Sequence, residues 1–133
     1  MVNIDNFDLK SKTILITGAA GLLGFEHSKA VLSKGAKLII SDINLSSLEE
    51  RRKELFSQFQ ESEIIVKELD VTNKKQIQKL ADQLSENGIN INVLINNAAI
   101  DPKVEKNSKI LETSRLENYS ETEWDLHLNV GLK

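Results

Sequence analysis

Four short apolar runs, each closed by polar or glycine residues and separated by segments of helical period, leave this chain few folds to choose from. The first, TILIT from Thr13 to Thr17, is rich in branched residues and has no polar side, as expected of a strand buried on both faces. KLIIS from Lys37, IIVKEL from Ile64 and INVLIN from Ile91 repeat that signature. After the first run, Leu23, Ala30 and Val31 are predicted to share one helical face, and Lys34-Gly35 reads as a basic last turn followed by a left-handed cap. Ser46 with Glu49 has the capping-box pattern, followed by Leu48, Arg52, Leu55, Phe56 and Phe59 at helical steps. A third helix is predicted from near Thr72, with Ile77, Leu80, Ala81 and Leu84 as its apolar stripe and Asn87-Gly88 as its end. Strands alternating with helices in this order imply a parallel sheet, right-handed crossovers and helices on both faces.

From Ala98 to Tyr119 the periodicity gives way to a polar stretch holding the single proline, Pro102. Long loops of this kind are often functional. SETE at Ser120 is a second capping box, opening a helix that carries Trp124, Leu128 and Leu132. No repeat or linker marks a boundary, so residues 1–133 read as one domain. The formal net charge of -3 argues against nucleic acid and anionic membrane as partners, since both need clustered Lys and Arg. Without cysteine there is no disulfide and no thiolate metal site, which fits a reducing compartment. The opening MVNIDNFDLKSK lacks the pattern of a signal peptide, and the expectation is a soluble cytoplasmic protein. His27 and His127 have no acid cluster at ligand spacing, so no metal site is expected. His27 is expected partly buried on its helix, His127 on a helix surface, and ERRK around Arg51 is expected to be a solvated face.

Glycines 18, 21 and 24 stand between the first strand and the first helix. Gly18 would turn the chain off the strand, Gly21 would let backbone approach a bound pyrophosphate, and Gly24 would let the helix pack on the sheet. The first-turn amides, including those of Leu22 and Leu23, would face the phosphates with the helix dipole behind them. Small residues placed only for packing are the alternative. Asp42 ends the second strand, where an acid can accept hydrogen bonds from both ribose hydroxyls of an adenosine. Its charge opposes a 2'-phosphate, and no Lys or Arg follows within the next few residues, which favours NAD over NADP. The competing role for Asp42 is capping the loop into the next helix.

TGAAGLLG, Asp42, LDVT (Leu69 to Thr72) and NNAA (Asn96 to Ala99), in that order at strand ends, make the chain resemble the N-terminal half of the short-chain dehydrogenase/reductase family. The resemblance implies a Rossmann-type doubly wound parallel sheet, truncated after the fourth strand and the start of the following helix. It implies that Asp70 and the Val71 amide hold adenine, and that Asn97, Ala98 and Ala99 lie along the nicotinamide-side ribose. An asparagine pair tying neighbouring loops together is the other reading of NNAA. The implied activity is hydride transfer between nicotinamide and the hydroxyl or carbonyl of a small-molecule substrate.

The serine and Tyr-x-x-x-Lys that supply the family's acid-base chemistry are missing here. Tyr119 is the single tyrosine and Glu123 stands four positions on, so no catalytic residue is assigned and the chain alone is expected to be inactive. The family's helix asparagine falls on Gly131, with Asn129 two residues earlier. Gly21 has the spacing of the extended subgroup, so a sugar-nucleotide epimerase or dehydratase is one alternative; a noncatalytic dinucleotide-binding module is another. INVLIN at a sheet edge suggests a fragment. The resemblance implies a homo-oligomer for the complete protein, paired through the helix that begins at Ser120.

Overall fold

The computed structural model describes residues 7–100 and 116–132, and Pro102 with the polar stretch around it lies outside them. The chain divides into two compact units, Met1–Ala98 and Ala99–Lys133. The first contains β1 (Thr13–Thr17), α1 (Leu22–Leu32), β2 (Lys37–Asp42), α2 (Leu45–Gln58), β3 (Ile64–Glu68), α3 (Lys74–Glu86) and β4 (Val93–Ile95). All strand pairs are parallel and the sheet order is β3-β2-β1-β4. This is the expected α/β, Rossmann-like sheet.

Strand alternation sorts the core into two layers. Ile14, Ile16, Leu38 and Ile40 face one way and pack with Phe25 and Leu32 of α1 and with Leu48 and Leu55 of α2. Leu15 and Ile39 face the other way, against Leu80 and Leu84 of α3. Helices therefore cover both faces, and the sheet is doubly wound. Burying each such side chain contributes about 1.5–3 kcal/mol. The chain moves outward from β1 through β2 to β3 and then crosses to β4 on the other side of β1. Open sheets bind ligands beyond the strand carboxyl ends at such a reversal.

Several local expectations are corrected. In α1 the buried face is Gly24, Phe25, Ser28 and Leu32, while Leu23, Ala30 and His27 are exposed. Apolar spacing misses this face because two of its members are small: Gly24 meets the neighbouring loop, and Ser28 satisfies its hydroxyl on the Gly24 carbonyl at 2.8 Å. The α2 cap is Asn44, whose side chain accepts from the Ser47 amide at 3.1 Å, so Ser46 lies inside the helix. Likewise Asn73, not Thr72, caps α3. Ile77 and Ala81 are exposed, because the α3 stripe narrows to Leu80 and Leu84. Gly35 takes the left-handed conformation at φ 83° where the first helix was predicted to end.

The fourth strand is shorter than its apolar run. Asn92 holds Thr13 from both sides, its Oδ1 accepting from the Thr13 amide at 2.8 Å and its own amide donating to the Thr13 carbonyl at 2.9 Å. Only Val93–Ile95 then continues as ladder, with Leu94 53% exposed.

The second unit has a 3-10 turn at Leu116–Asn118 and α4 (Glu121–Gly131). Ser120 caps α4 by accepting from the Glu123 amide at 3.1 Å. The reciprocal half of the capping box does not form, since the Glu123 carboxylate accepts from the Ser120 hydroxyl instead. Trp124 and Leu132 are exposed. Tyr119 packs edge-on against Trp124, with ring centroids 6.2 Å apart, and against His127 at 6.0 Å, which makes His127 partly buried. Among the described residues no helix is long and apolar enough to cross a membrane.

Candidate functional site

β1 ends at Thr17 and the chain turns at Gly18, whose φ of 63° is left-handed and favours glycine. A Cβ on Gly18 would stand 2.7 Å from the Ala98 Cα, so the turn also requires a bare backbone where the β4 loop crosses it. Asn97 fastens the two loops together. Its side-chain amide donates to the carbonyls of Thr17 at 3.0 Å and Gly18 at 3.1 Å. The Thr17 hydroxyl in turn accepts from the amides of Asn97 and Ala98, both at 3.0 Å. Asn97 and Ala98 thus meet the glycine loop as a loop tie. Ala99 begins the second unit and is exposed.

Replacing Thr17 with valine keeps the shape and removes that acceptor. Two partly buried amides would lose their partner, a loss of about 2 kcal/mol in urea-unfolding stability, with an unchanged sheet by circular dichroism.

Gly24 is packed against the loop rather than the sheet. A Cβ there would run into the Gly18 carbonyl oxygen and lie 2.7 Å from the Ala19 Cα and 2.8 Å from the Asn97 amide nitrogen. Gly21 is different: an added Cβ would meet only the Gly18 oxygen at 3.4 Å, an ordinary contact. Gly21 is the N-cap of α1 and has no side chain to satisfy the first-turn amides.

Not every nitrogen of the loop is available. The amides of Ala19, Ala20 and Gly21 donate to the Ser41 carbonyl, the Asp42 carboxylate and the Gly18 carbonyl respectively. Those of Leu22, Leu23 and Gly24 have no acceptor among the described residues. Leu22 and Leu23 are 73% and 65% exposed, so the N-terminus of α1 opens to solvent.

Asp42 stands between two loops. Oδ2 accepts from the Ala20 amide at 3.2 Å and Oδ1 from the Asn44 amide at 3.1 Å. It therefore does form the loop contact weighed as its competing role. An ionised carboxylate has roughly four acceptor positions, so two remain for other donors. Arg51 is the residue that charge-pattern reading misses. It belongs to the stretch expected to be a solvated face, yet its Nε donates to the Ala20 carbonyl at 3.3 Å and its guanidinium lies 4.5 Å from the centre of the Phe25 ring. The signal was present: Arg51 falls between Leu48 and Leu55 at the steps that define the buried side of α2.

Beyond β3, the Leu69 amide donates to the Asp42 carbonyl at 2.9 Å, which brings the Asp70 turn beside the end of β2. Asp70 Oδ1 accepts from the Thr72 hydroxyl at 2.7 Å and the Thr72 amide at 2.9 Å. These bonds, the hydroxyl's first, hold the Asp70 carboxyl below its ordinary value near 3.8. The unfolded chain binds this proton more readily than the folded one. The turn's stabilisation is thus complete above the ordinary value and is lost as pH falls through the lowered one. Thr72→Val is expected to raise the Asp70 value back toward ordinary, read by a carboxyl carbon NMR titration. Val71 packs beside Leu69 and Leu80, and its amide has no acceptor among the described residues.

A hollow of about 350 Å³ lies at the opposite edge of the sheet, near Thr13, Lys37, Glu63 and Asn92. Within it Lys37 and Glu63 are paired at 2.7 Å.

The chain belongs to the short chain dehydrogenase family, whose model matches residues 12–133. It is 39% identical over 93 residues to a short chain dehydrogenase/reductase of Gibberella zeae, covering 69% of this chain and 33% of that relative. It is 40% identical over 96 residues to an NADP-dependent 3-hydroxy acid dehydrogenase of Schizosaccharomyces pombe, covering 69% and 36%. Among solved structures, a short chain dehydrogenase from Mycobacterium smegmatis is 28% identical with a TM-score of 0.74, covering 94% of this chain and 48% of that one. The matches thus span about a third of the length of these curated relatives. They do not favour the sugar-nucleotide alternative raised by the position of Gly21.

Proposed function

We propose that this chain binds NAD at the carboxyl edge of its sheet, as part of an oxidoreductase that moves a hydride between nicotinamide and a small hydroxyl or carbonyl substrate. The observation that carries the reading is the row of three unpartnered amides, Leu22 to Gly24, at a solvent-open helix N-terminus beside the Asp42 carboxylate. Such a terminus favours anionic oxygen. Gly18, Gly21 and Gly24 bring backbone to the diphosphate, Asp42 offers its remaining acceptor positions to the adenosine ribose, and Asp70 with the Val71 amide faces adenine. Asn97, Ala98 and Ala99 serve the nicotinamide-side ribose. Leu22, Leu23 and Ile43 leave apolar side chains in water at this end of the sheet, a surface that a dinucleotide would cover.

Nicotinamide, when bound, supplies the hydride acceptor or donor. The residues of this chain bind and orient it. With Glu123 four positions after the single tyrosine, binding without turnover is expected of the chain alone. NAD is preferred to NADP because Asp42 and a 2'-phosphate are both anionic. That preference rests on Asp42, since the fission-yeast relative is named as NADP-dependent. The test is calorimetric titration of the purified chain with NAD and, separately, NADP. Saturable NAD binding with weaker NADP binding is expected; equal or tighter NADP binding contradicts the preference, and binding of neither contradicts the site.

A further inference from the structure

We propose that Arg51 is a positioning residue for the glycine loop, holding the Ala20 carbonyl while Asp42 holds the Ala20 amide. The Ala20 amide donates to Asp42 Oδ2 at 3.2 Å while its carbonyl accepts from Arg51 Nε at 3.3 Å. The two peptide groups that flank the Ala20 Cα, just before the α1 N-cap, are therefore each held, one from β2 and the other from α2. The next residue, Gly21, gives its carbonyl to the Phe25 amide at 3.0 Å and starts the helix. The orientation of the unpartnered amides at Leu22 to Gly24 follows from where residue 20 is pinned.

Two contacts fix Arg51 itself. Its guanidinium lies over the Phe25 ring, and that ring is only 5% exposed and so offers an immobile platform. Its NH1 pairs with Glu54 Oε2 at 3.0 Å. A planar guanidinium presents a face to an aromatic ring and several donors along its edge at once, and an ammonium does not. Glu54 offsets the charge, so the role is the placement of a hydrogen-bond donor rather than attraction of an anion over distance. α1, α2 and the loop are joined at this one side chain.

The inference rests on the dinucleotide reading for its ligand arm alone, and the loop arm stands without ligand. Arg51→Lys and Arg51→Met are compared with the unaltered chain in two measurements. In the first, amide hydrogen exchange without ligand is expected to quicken at Ala20 and Gly21 by about tenfold in both variants, with Ile40 in β2 unchanged as the reference for global stability. In the second, NAD affinity is expected to fall by about tenfold in both, the scale of one hydrogen bond made by a charged group. Unchanged exchange at Ala20 and Gly21 overturns the proposal. So does full retention of affinity by Arg51→Lys beside a salt-sensitive loss in Arg51→Met, because charge alone would then be sufficient. If the unaltered chain fails to bind NAD, the dinucleotide reading falls, and the exchange result still decides whether Arg51 holds the loop.

Discussion

Replacing Gly24 with alanine is expected to destabilise the chain by about 3 kcal/mol and to abolish NAD binding. The added methyl is directed at the backbone of the same loop, where the Gly18 oxygen and the Ala19 Cα leave no room. The Asn97 amide nitrogen, 2.8 Å from that methyl, is engaged with the Thr17 and Gly18 carbonyls and has nowhere to move without giving up both bonds. Relief requires α1 to lift from the loop, which displaces the amides of Leu22 and Leu23 as well. In thermal unfolding the loss corresponds to a midpoint lower by about 15 °C. Gly21→Ala is the internal control: its methyl meets one oxygen at 3.4 Å, so the midpoint should move by a few degrees at most. If the two variants were equally stable, the packing assigned to Gly24 would be wrong.

Changing Asp42 to asparagine is expected to shift the ratio of NAD to NADP affinity by about 100-fold, measured by titrating each cofactor. About tenfold comes from weakened ribose contacts, since an asparagine amide group has one acceptor oxygen where a carboxylate has two. A similar factor comes from removing the repulsion toward a 2'-phosphate. The variant also leaves either the Ala20 or the Asn44 amide without its acceptor, so unfolding stability should fall by about 1 kcal/mol. A parallel fall in both affinities, with the ratio unchanged, would confine Asp42 to its loop contacts.

The sheet was legible because buried parallel strands leave a plain trace. Thr13–Thr17 is continuous and branched, and it forms β1 at those limits. Helix starts were harder, since serines and threonines stand next to the asparagines that actually cap. Asn44 and Asn73 both precede their helices by one residue and accept from amides two or three positions on. INVLIN overstates β4 because Asn92 spends its side chain on Thr13, a contact that only the neighbouring strand reveals.

For the candidate site, glycine spacing and Asp42 were readable, and the sharing of Asp42 between two backbone amides was not. The tie from Asn97 to Gly18 joins residues far apart in the chain, and no local pattern encodes it. Arg51 was hidden for a related reason. A charged residue within a charged run reads as solvated until the aromatic ring it covers is placed beneath it.

Backbone amide NMR during titration with NAD addresses the phosphate site most directly. The resonances of Leu22, Leu23 and Gly24 are expected to move downfield together as anionic oxygen arrives, while the strand amides of Leu38 and Ile39 stay in place. Shifts confined to the opposite edge around Lys37 and Asn92, or none at the first turn of α1 under saturating NAD, would contradict a diphosphate seated on that helix.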